Sequence, residues 1–248
     1  MDVSQRVVLV TGGARRVGKA IALELARAGA RVVVHHKDSG ADAAATVREI
    51  QALGQQAVAL RADLKQVSEI ERLASQVIGE MGALHVLVNS ASAFFETRFG
   101  ATPEVQWDEL LDTNLKGPFF LAQLAAARMA SAGEGAIVNI TDVSAEQVWT
   151  RYLPYCISKA GLVAMTRGLA KLLAPRIRVN AVAPGPVLLP EHFSDAQRER
   201  AVRTTLLGRT GTPEDVARAV RYLIEAPYVT GVILPVDGGR HLRGEVSG

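Results

Sequence analysis

The sequence has one cysteine and no long hydrophobic run. Cys156 is the only cysteine among 248 residues, so a disulfide within one chain is excluded. No apolar stretch approaches the ~18 residues that cross a membrane, and the N-terminus has no signal-peptide pattern. These absences predict a soluble, cytoplasmic protein that does not bind a membrane.

The chain also lacks an excess of charge of one sign. Its 28 basic and 25 acidic residues give a net charge of +3 and are interspersed, which is not the pattern of a nucleic-acid-binding surface. The five histidines have no metal-ligand spacing, so no metal site is predicted. No linker, repeat or low-complexity tract divides the chain. One domain over residues 1–248 is expected, with a small-molecule substrate as its partner.

Short apolar runs alternate with helical patterns along the whole chain. The predicted strands are residues 6–11, 31–36, 56–61, 84–89, 135–141, 176–183 and 231–236. This alternation predicts an α/β fold, a single-domain Rossmann-type doubly wound sheet of about seven parallel strands with helices on both faces. Ligands of such sheets bind beyond the carboxyl ends of the strands.

The first strand leads into a glycine-containing turn, Thr11 to Gly18, and then into helix-forming residues that Gly29 is placed to end. A helix N-terminus after such a turn binds anions through free backbone N–H groups and the helix dipole. A dinucleotide pyrophosphate fits this site.

The end of the second strand indicates which dinucleotide binds. NAD-binding sites usually place Asp or Glu there, whereas this strand ends in His36 and Lys37. With Arg15 or Arg16 from the first turn, these cations predict a clamp on a 2′-phosphate, and therefore NADPH/NADP+. Asp38 could reach the ribose, but it lies beyond the usual position and is expected to turn into the next loop or to cap the helix over residues 41–53.

Tyr155 and Lys159 are four residues apart, which places them on one face of a helix. A phenol with a pKa near ~10 exchanges protons at neutral pH only if its phenolate is stabilised, and Lys159 is expected to lower that pKa. Asp142 lies thirteen residues before Tyr155, and Ser144, two residues further on, is the rival candidate for the working group. The pattern predicts proton transfer coupled to hydride transfer.

Several motifs occur in the order and spacing of the short-chain dehydrogenase/reductase family, which the chain resembles over nearly its whole length. They are Thr11-Gly12…Gly18, Asp63, Asn89-Ser90-Ala91, Asn114, Tyr155…Lys159, Pro184-Gly185 and Val236-Asp237-Gly238-Gly239. Within the family the sequence is most similar to the pteridine reductases. It shares with them an arginine at the middle glycine of the turn, an aspartate at the catalytic serine, and Ser and Phe after the fourth strand, here Arg16, Asp142, Ser92 and Phe94. Ser90 departs from the family's usual asparagine.

The resemblance implies a role for each matching residue. The implied catalytic residues are Asp142, Tyr155, Lys159 and Asn114, with Asn114 supporting Lys159 through a water. The implied cofactor-binding residues are Thr11, Gly12, Arg15, Arg16, Val17, Gly18, His36, Lys37, Asp63, Leu64, Asn89, Ser90, Ala91, Lys159, Pro184 and Gly185. The implied substrate-binding residues are Arg16, Ser92, Phe94, Asp142, Tyr155 and Leu188.

The segment after the sixth strand, about residues 184–205, is interpreted as the substrate loop. Residues 184–192 combine three prolines with Leu188 and Leu189, which either contact substrate or pack under the loop. In related tetramers the chain end reaches a neighbouring site, so the resemblance implies a homotetramer and gives Arg240, His241 and Arg243 a place near such a contact.

The favoured function is an NADPH-dependent reductase of a pterin or dihydropterin-like substrate. One alternative is a carbonyl reductase acting on a 3-oxoacyl thioester or another ketone, for which the missing serine is a handicap. The other is a catalytically weak protein that binds NADPH as a redox sensor.

Overall fold

The computed structural model describes residues 1–189 and 194–242. Its strands are β1 (Val7–Val10), β2 (Arg31–His36), β3 (Ala57–Arg61), β4 (Val86–Asn89), β5 (Gly135–Ile140), β6 (Ile177–Pro184) and β7 (Ile233–Val236). They form one sheet in the order β3-β2-β1-β4-β5-β6-β7, and every neighbouring pair is parallel. The predicted fold class is confirmed.

Eight α-helices lie between and beside the strands in the described residues. They are α1 (Arg16–Arg27), α2 (Gly40–Ala52), α3 (Val67–Met81), α4 (Glu104–Leu111), α5 (Gly117–Ser131), α6 (Leu153–Leu173), α7 (Asp195–Arg203) and α8 (Pro213–Glu225). None of the helices described is long and apolar enough to cross a membrane. Gly29, at φ +92°, follows the end of α1 as expected.

Helices cover both faces of the sheet because alternate strand residues point to opposite sides. Val8 and Val10 of β1 pack with α1, α2 and α8, whereas Val7 and Leu9 pack with α3 and α5. Both sets of side chains are fully buried. This two-sided burial explains why the strands are continuous β-branched runs instead of alternating apolar and polar residues.

The helical pattern over residues 103–132 is predicted as one element, but the structure divides it. A π-helical turn, Asp112–Lys116, joins α4 to α5 and contains Asn114. A Cβ on Gly117, just after this turn, would lie 2.6 Å from the Leu64 carbonyl oxygen, so the chain approaches the β3–α3 connection closely here. π-Turns within helices are frequent at functional sites, and this one directs Asn114 toward the carboxyl edge of the sheet.

The turn between β1 and α1 depends on two glycines. Gly12 has φ +63°, which favours glycine, and a Cβ on Gly18 would lie 2.2 Å from the Gly12 carbonyl oxygen. The start of α1 therefore packs directly on the backbone of the turn, with no room for a side chain.

Gly18→Ala is expected to lower the free energy of unfolding by about 1–3 kcal/mol, because the added methyl group must displace backbone atoms. Denaturant unfolding measures the change. Gly79→Ala is the matched control: Gly79 lies within α3 with no atom near its missing Cβ, and alanine there should be neutral or stabilise the protein by up to about 1 kcal/mol. Equal effects of the two substitutions would contradict this account of the turn.

Candidate active site

A cavity of about 830 Å³ lies beyond the carboxyl ends of β1, β2, β4, β5 and β6. This is within the size range of small-molecule sites. The cavity lies at the edge of the sheet where the sequence places the candidate residues. The predicted site residues that line it are Gly12, Arg15, Arg16, Val17, Gly18, His36, Lys37, Ser90, Ala91, Ser92, Phe94, Asp142, Tyr155, Lys159, Pro184, Gly185 and Leu188.

Thr11 and His35 support the glycine turn from beneath. The Thr11 hydroxyl accepts hydrogen bonds from the backbone N–H groups of Ser90 (2.9 Å) and Ala91 (3.0 Å), which fastens the β4 loop to β1. His35 Nδ1 accepts from the Gly12 N–H at 3.2 Å, and its Nε2–H donates to the Ala62 carbonyl at 3.0 Å. Burial lowers the pKa of His35 to about 4, so the ring is neutral at physiological pH. Sequence reasoning missed this role of His35.

Arg16 occupies the position where most family members have glycine, and its backbone is in the left-handed region at φ +54°. This conformation costs a non-glycine residue on the order of 1 kcal/mol or more. The side chain crosses the cavity mouth and donates to the Leu188 carbonyl at 3.3 Å. Arg16 therefore links the first turn to the loop after β6.

The end of β2 places three polar side chains in the cavity wall. His36 and Lys37 line it as predicted, and Lys37 forms an ion pair with Asp63 at 3.1 Å. Asp38 lies in the turn between β2 and α2, as one expectation had it, and also lines the cavity. The alternative that it caps the helix is wrong, because α2 begins at Gly40 and its N-cap is Ser39.

A phosphorylated dinucleotide fits this part of the cavity. The start of α1 has no side-chain cap on its free N–H groups, and the two turn glycines keep that surface open to a close ligand. His36 Nδ1 is buried without a hydrogen-bond partner, beside Lys37. Gly12, Val17 and Gly18 would hold a pyrophosphate, while His36, Lys37 and Arg15 would surround a 2′-phosphate.

Four of the implied cofactor-binding residues do not line the cavity, namely Thr11, described above, and Asp63, Leu64 and Asn89. Leu64 is buried in the core, and the Asn89 amide donates to Asn139 at 2.8 Å. Asp63 accepts from the Lys65 N–H at 3.0 Å and pairs with Lys37. Burial alone would raise the pKa of Asp63, but these hydrogen bonds and the neighbouring lysine charges together lower it below its ordinary value. The side chains of these residues therefore organise the loop ends.

Asp142, Tyr155 and Lys159 come together at the end of β5. The Tyr155 hydroxyl donates to Asp142 Oδ2 at 3.0 Å, and Lys159 Nζ lies 5.5 Å from the centre of the tyrosine ring. Lys159 donates to the Ile140 carbonyl at 3.0 Å, and burial lowers its pKa to about 8. All three side chains border the cavity.

The pKa of Tyr155 differs from the prediction. Lys159 was expected to lower it, but burial, followed by the neighbouring Asp142 carboxyl, raises it well above the ordinary value. Burial also raises the pKa of Asp142, although the hydrogen bond from the Ser144 N–H (2.7 Å) opposes this. The tyrosine is thus held protonated, with a carboxyl group at its hydroxyl.

The structure favours Asp142 over Ser144 as the group that works with Tyr155. Ser144 is 0% exposed and its hydroxyl has no hydrogen-bond partner, whereas Asp142 lines the cavity. The Thr141 hydroxyl donates to the Val182 carbonyl at 2.9 Å, which directs it into the sheet.

Asn114 holds the loop after β4. Its Oδ1 accepts from the Ala93 N–H (2.8 Å) and the Ser92 hydroxyl (3.2 Å), while its Nδ2 donates to the Ala93 carbonyl (3.0 Å) and to Ser158 (3.1 Å). The side chain does not contact Lys159. Asn114 therefore positions Ser92 and Ala93, the residue next to Phe94. Its support of Lys159 through a water stays a prediction.

Aromatic side chains form one wall of the cavity beside the catalytic group. Phe94 is 46% exposed, stacks on Tyr152 with ring centres 4.8 Å apart, and lies edge-on to Tyr155 at 4.8 Å and to Trp149 at 6.5 Å. The Phe94 ring therefore faces the cavity and is not packed under its own loop. Trp149 and Tyr152 were not among the predicted site residues, because only the fold brings them to Phe94.

The substrate loop is partly helical. Pro184 ends β6 and Gly185 follows it. Leu188 is 38% exposed at the cavity, and Leu189 also lines it. The α7 helix follows, and Gln197, Arg200 and Ala201 border the same space. His192 and Arg243 lie outside the described residues.

The fold and site define a nicotinamide-dependent oxidoreductase, with a dinucleotide cradle next to a Tyr–Lys pair. Within the described residues, no cluster of His, Cys, Asp or Glu side chains could hold a metal ion. Comparison with known sequences supports this class. The family model described as enoyl-(acyl carrier protein) reductase matches residues 12–241, and the chain belongs to the short-chain dehydrogenase/reductase family.

Two of the similar proteins are reductases of different kinds. The chain is 36% identical to the 3-oxoacyl-[acyl-carrier-protein] reductase FabG of Staphylococcus aureus (strain Mu50), covering 94% of this chain and 97% of that protein. It is also similar to the structure of FolM alternative dihydrofolate reductase 1 from Brucella canis in complex with NADP, with a TM-score of 0.93 and 37% identity. The match covers 99% of this chain and 98% of that chain. A blue fluorescent protein from a metagenomic library, solved with NADPH, has a TM-score of 0.90 and 33% identity, and the match covers 97% of this chain and 99% of that chain.

The homotetramer stays a prediction.

NADPH is expected to bind at least tenfold more tightly than NADH, a difference of about 1.4 kcal/mol or more, because Lys37 and His36 border the 2′-phosphate position. Lys37→Asp should reduce this preference. Isothermal titration with both cofactors measures it. Lys171→Asp, in the last turn of α6, is a matched charge reversal that should keep the preference. Equal dissociation constants in the unmodified protein would contradict the prediction.

Asp142→Ala is expected to lower kcat far more than Ser144→Ala, because Asp142 lines the cavity and accepts the hydrogen bond from the Tyr155 hydroxyl, whereas Ser144 does neither. Tyr155→Phe should abolish turnover yet retain NADPH binding, since the phenol acts in proton transfer. Steady-state kinetics and cofactor titration separate these effects. A larger loss for Ser144→Ala would show that the serine is the working group.

Proposed function

We propose that the protein reduces a dihydropterin-like substrate with NADPH. The coarser assignment rests on family membership: the chain is an NADP-dependent short-chain oxidoreductase. The pterin assignment rests on one observation above all, the half-exposed Phe94 ring next to the Asp142–Tyr155 pair. Similarity to FolM supports the same substrate class.

The aromatic wall suits a flat conjugated substrate. A pterin is a planar bicycle with donors and acceptors along one edge, and an aromatic ring opposite the nicotinamide would sandwich it. Offset stacking contributes roughly 0.5–1.5 kcal/mol beyond burial. Ser92 and Arg16 border the same space and would meet the polar edge. A flexible acyl chain gains little from such a sandwich.

The catalytic group is arranged to deliver a proton to the substrate. When bound, NADPH supplies the hydride. Tyr155 is the proton donor, since burial and the Asp142 carboxyl keep its hydroxyl protonated. Burial raises the pKa of Asp142. Its carboxyl group accepts the hydrogen bond from Tyr155 and relays protons toward the ring nitrogens of the substrate. Lys159 places a cation beneath the tyrosine ring and compensates the negative charge that forms when the proton leaves.

A ketone reductase is the second candidate, favoured by the 36% identity to FabG. Tyr155 would protonate a carbonyl oxygen in the same way that it protonates a ring nitrogen. However, Asp142 brings a carboxyl group to the position where a serine hydroxyl would donate to that oxygen. An ionised carboxylate repels developing negative charge, so the ketone reaction requires Asp142 to be protonated.

Phe94→Ala is expected to raise KM for a dihydropterin several-fold with little effect on NADPH affinity, because the ring contacts the substrate plane and not the cofactor phosphates. Steady-state kinetics with dihydrobiopterin and dihydrofolate measure the effect. Phe99→Ala is the matched control, since Phe99 is 87% exposed and does not line the cavity. It should leave KM unchanged.

The same assay compares substrate classes in the unmodified protein. NADPH oxidation with dihydropterins and little with acetoacetyl thioesters or simple ketones is the expected result. Turnover of ketones with none of biopterin, dihydrobiopterin or dihydrofolate would reject the pterin assignment and leave the reductase class. Tight NADPH binding with no turnover on any substrate would favour the redox-sensor alternative.

A further inference from the structure

Arg240 is a cation of the active-site cavity that the proposed reaction does not use. It begins the short 3₁₀ turn Arg240–Leu242 after β7 and lines the cavity. Its guanidinium lies over the Trp149 ring, 5.3 Å from the ring centre. Its backbone is anchored on both sides: the N–H donates to the Asp237 carbonyl at 3.3 Å, and the carbonyl accepts from the Gln147 side chain at 3.3 Å. The cation is therefore held in a defined place.

The Arg240 guanidinium has no polar partner among residues 1–189 and 194–242. Other partly buried arginines do: Arg178 donates to the carbonyl groups of Leu223, Ile224 and Val229, and Arg6 pairs with Glu134 at 2.7 Å. A guanidinium carries five N–H donors, and leaving them unmet in a partly desolvated position is unfavourable. Burial lowers the pKa of Arg240, although the nearby charges of Asp142 and Asp237 oppose this.

The two nearest carboxylates are already engaged. Asp142 accepts hydrogen bonds from Tyr155 on one oxygen and from the Ser144 N–H on the other. Asp237 accepts from the N–H groups of Gly239 (2.9 Å) and His241 (2.7 Å), and also contacts the His241 ring at 2.8 Å. Neither forms an ion pair with Arg240, so no carboxylate within residues 1–189 and 194–242 occupies the Arg240 donors.

Arg240 lies next to the reacting groups. Phe94 is edge-on to Tyr155 on one side and to Trp149 on the other, and Trp149 carries the Arg240 guanidinium on its ring. A substrate ring placed against Phe94 would share the cavity with Arg240, which also lines it. The planar guanidinium matches a carboxylate in geometry and charge, and stacking on Trp149 leaves its in-plane N–H groups available.

We propose that Arg240 binds a carboxylate of the substrate, so that the enzyme prefers conjugated substrates that carry an acid group beyond the reacting ring. This rests on the proposed function, and within it favours dihydropterins with an acidic side chain over neutral ones. Arg240 thus sets substrate choice, while Asp142 and Tyr155 carry out the proton transfer.

The test compares an acid with its ester, which differ in charge but share the reacting ring. With dihydrofolate and its dimethyl ester, the free acid should have a KM lower by about tenfold or more, as expected of a charge-assisted pair. Arg240→Met should raise KM for the acid by a similar factor and leave the ester unchanged. Arg240→Lys should recover part of the preference, because lysine keeps the positive charge but lacks the planar pair of N–H donors that binds a carboxylate with two hydrogen bonds.

Arg203→Met is the matched control, since Arg203 is an exposed cation of α7 that pairs with Glu199 at 3.4 Å and does not line the cavity. It should keep the acid-over-ester preference. Equal KM values for acid and ester in the unmodified protein, or an equal effect of Arg240→Met on both, would overturn the proposal.

The pterin assignment and the role of Arg240 fail in distinguishable ways. If the enzyme reduces ketones instead of pterins, acetoacetate and methyl acetoacetate form the equivalent pair, and a lost preference in Arg240→Met still supports the carboxylate site. If neither pair is reduced, titration of folate and its dimethyl ester into the NADP+-loaded protein decides. Equal binding of the two, or binding of neither, would reject the site.

Discussion

Parallel pairing of all seven strands is the constraint on which the site depends, because it brings every carboxyl end to one edge of the sheet. Residues separated by more than a hundred positions, such as Gly12 and Asp142, meet there. Thr11 shows how closely the strand ends are joined, since one hydroxyl fastens the loop after β4 to the end of β1. Displacing either strand by one residue would turn this hydroxyl to the other face of the sheet and separate the cofactor cradle from the loop that carries Phe94.

Much of the fold could be predicted from sequence because burial on both faces leaves a clear signal. Val32 to Val34, for example, form a continuous apolar run that only a covered parallel strand requires. Strand ends then located the polar candidates, and Arg16, Asp142 and Phe94 all reach the cavity. The pattern could not show the π-turn that divides α4 from α5, since the apolar spacing on either side of Asn114 remains helical.

The residues that sequence reasoning missed act through contacts between distant parts of the chain. Trp149 and Tyr152 have no motif around them, and they reach Phe94 only when the segment before α6 folds against the loop after β4. The pKa of Tyr155 was misjudged for a similar reason. Spacing reveals the cation at Lys159, but the balance between that cation, burial and the Asp142 carboxyl depends on how deeply the whole group is enclosed.

The buried His35 beneath the glycine turn makes the stability of the cofactor-binding turn depend on pH. Its ring must stay neutral to accept from Gly12, and burial lowers its pKa from 6.5 to about 4. Between about pH 6.5 and about pH 4, the His35 ring is therefore protonated in the unfolded chain and neutral in the folded chain. The free energy of unfolding is therefore unaffected by His35 above about pH 6.5 and decreases by up to about 3 kcal/mol as the pH falls to about 4. Acid thus weakens the fold at the support of the dinucleotide, starting at a pH where most carboxylates are still ionised.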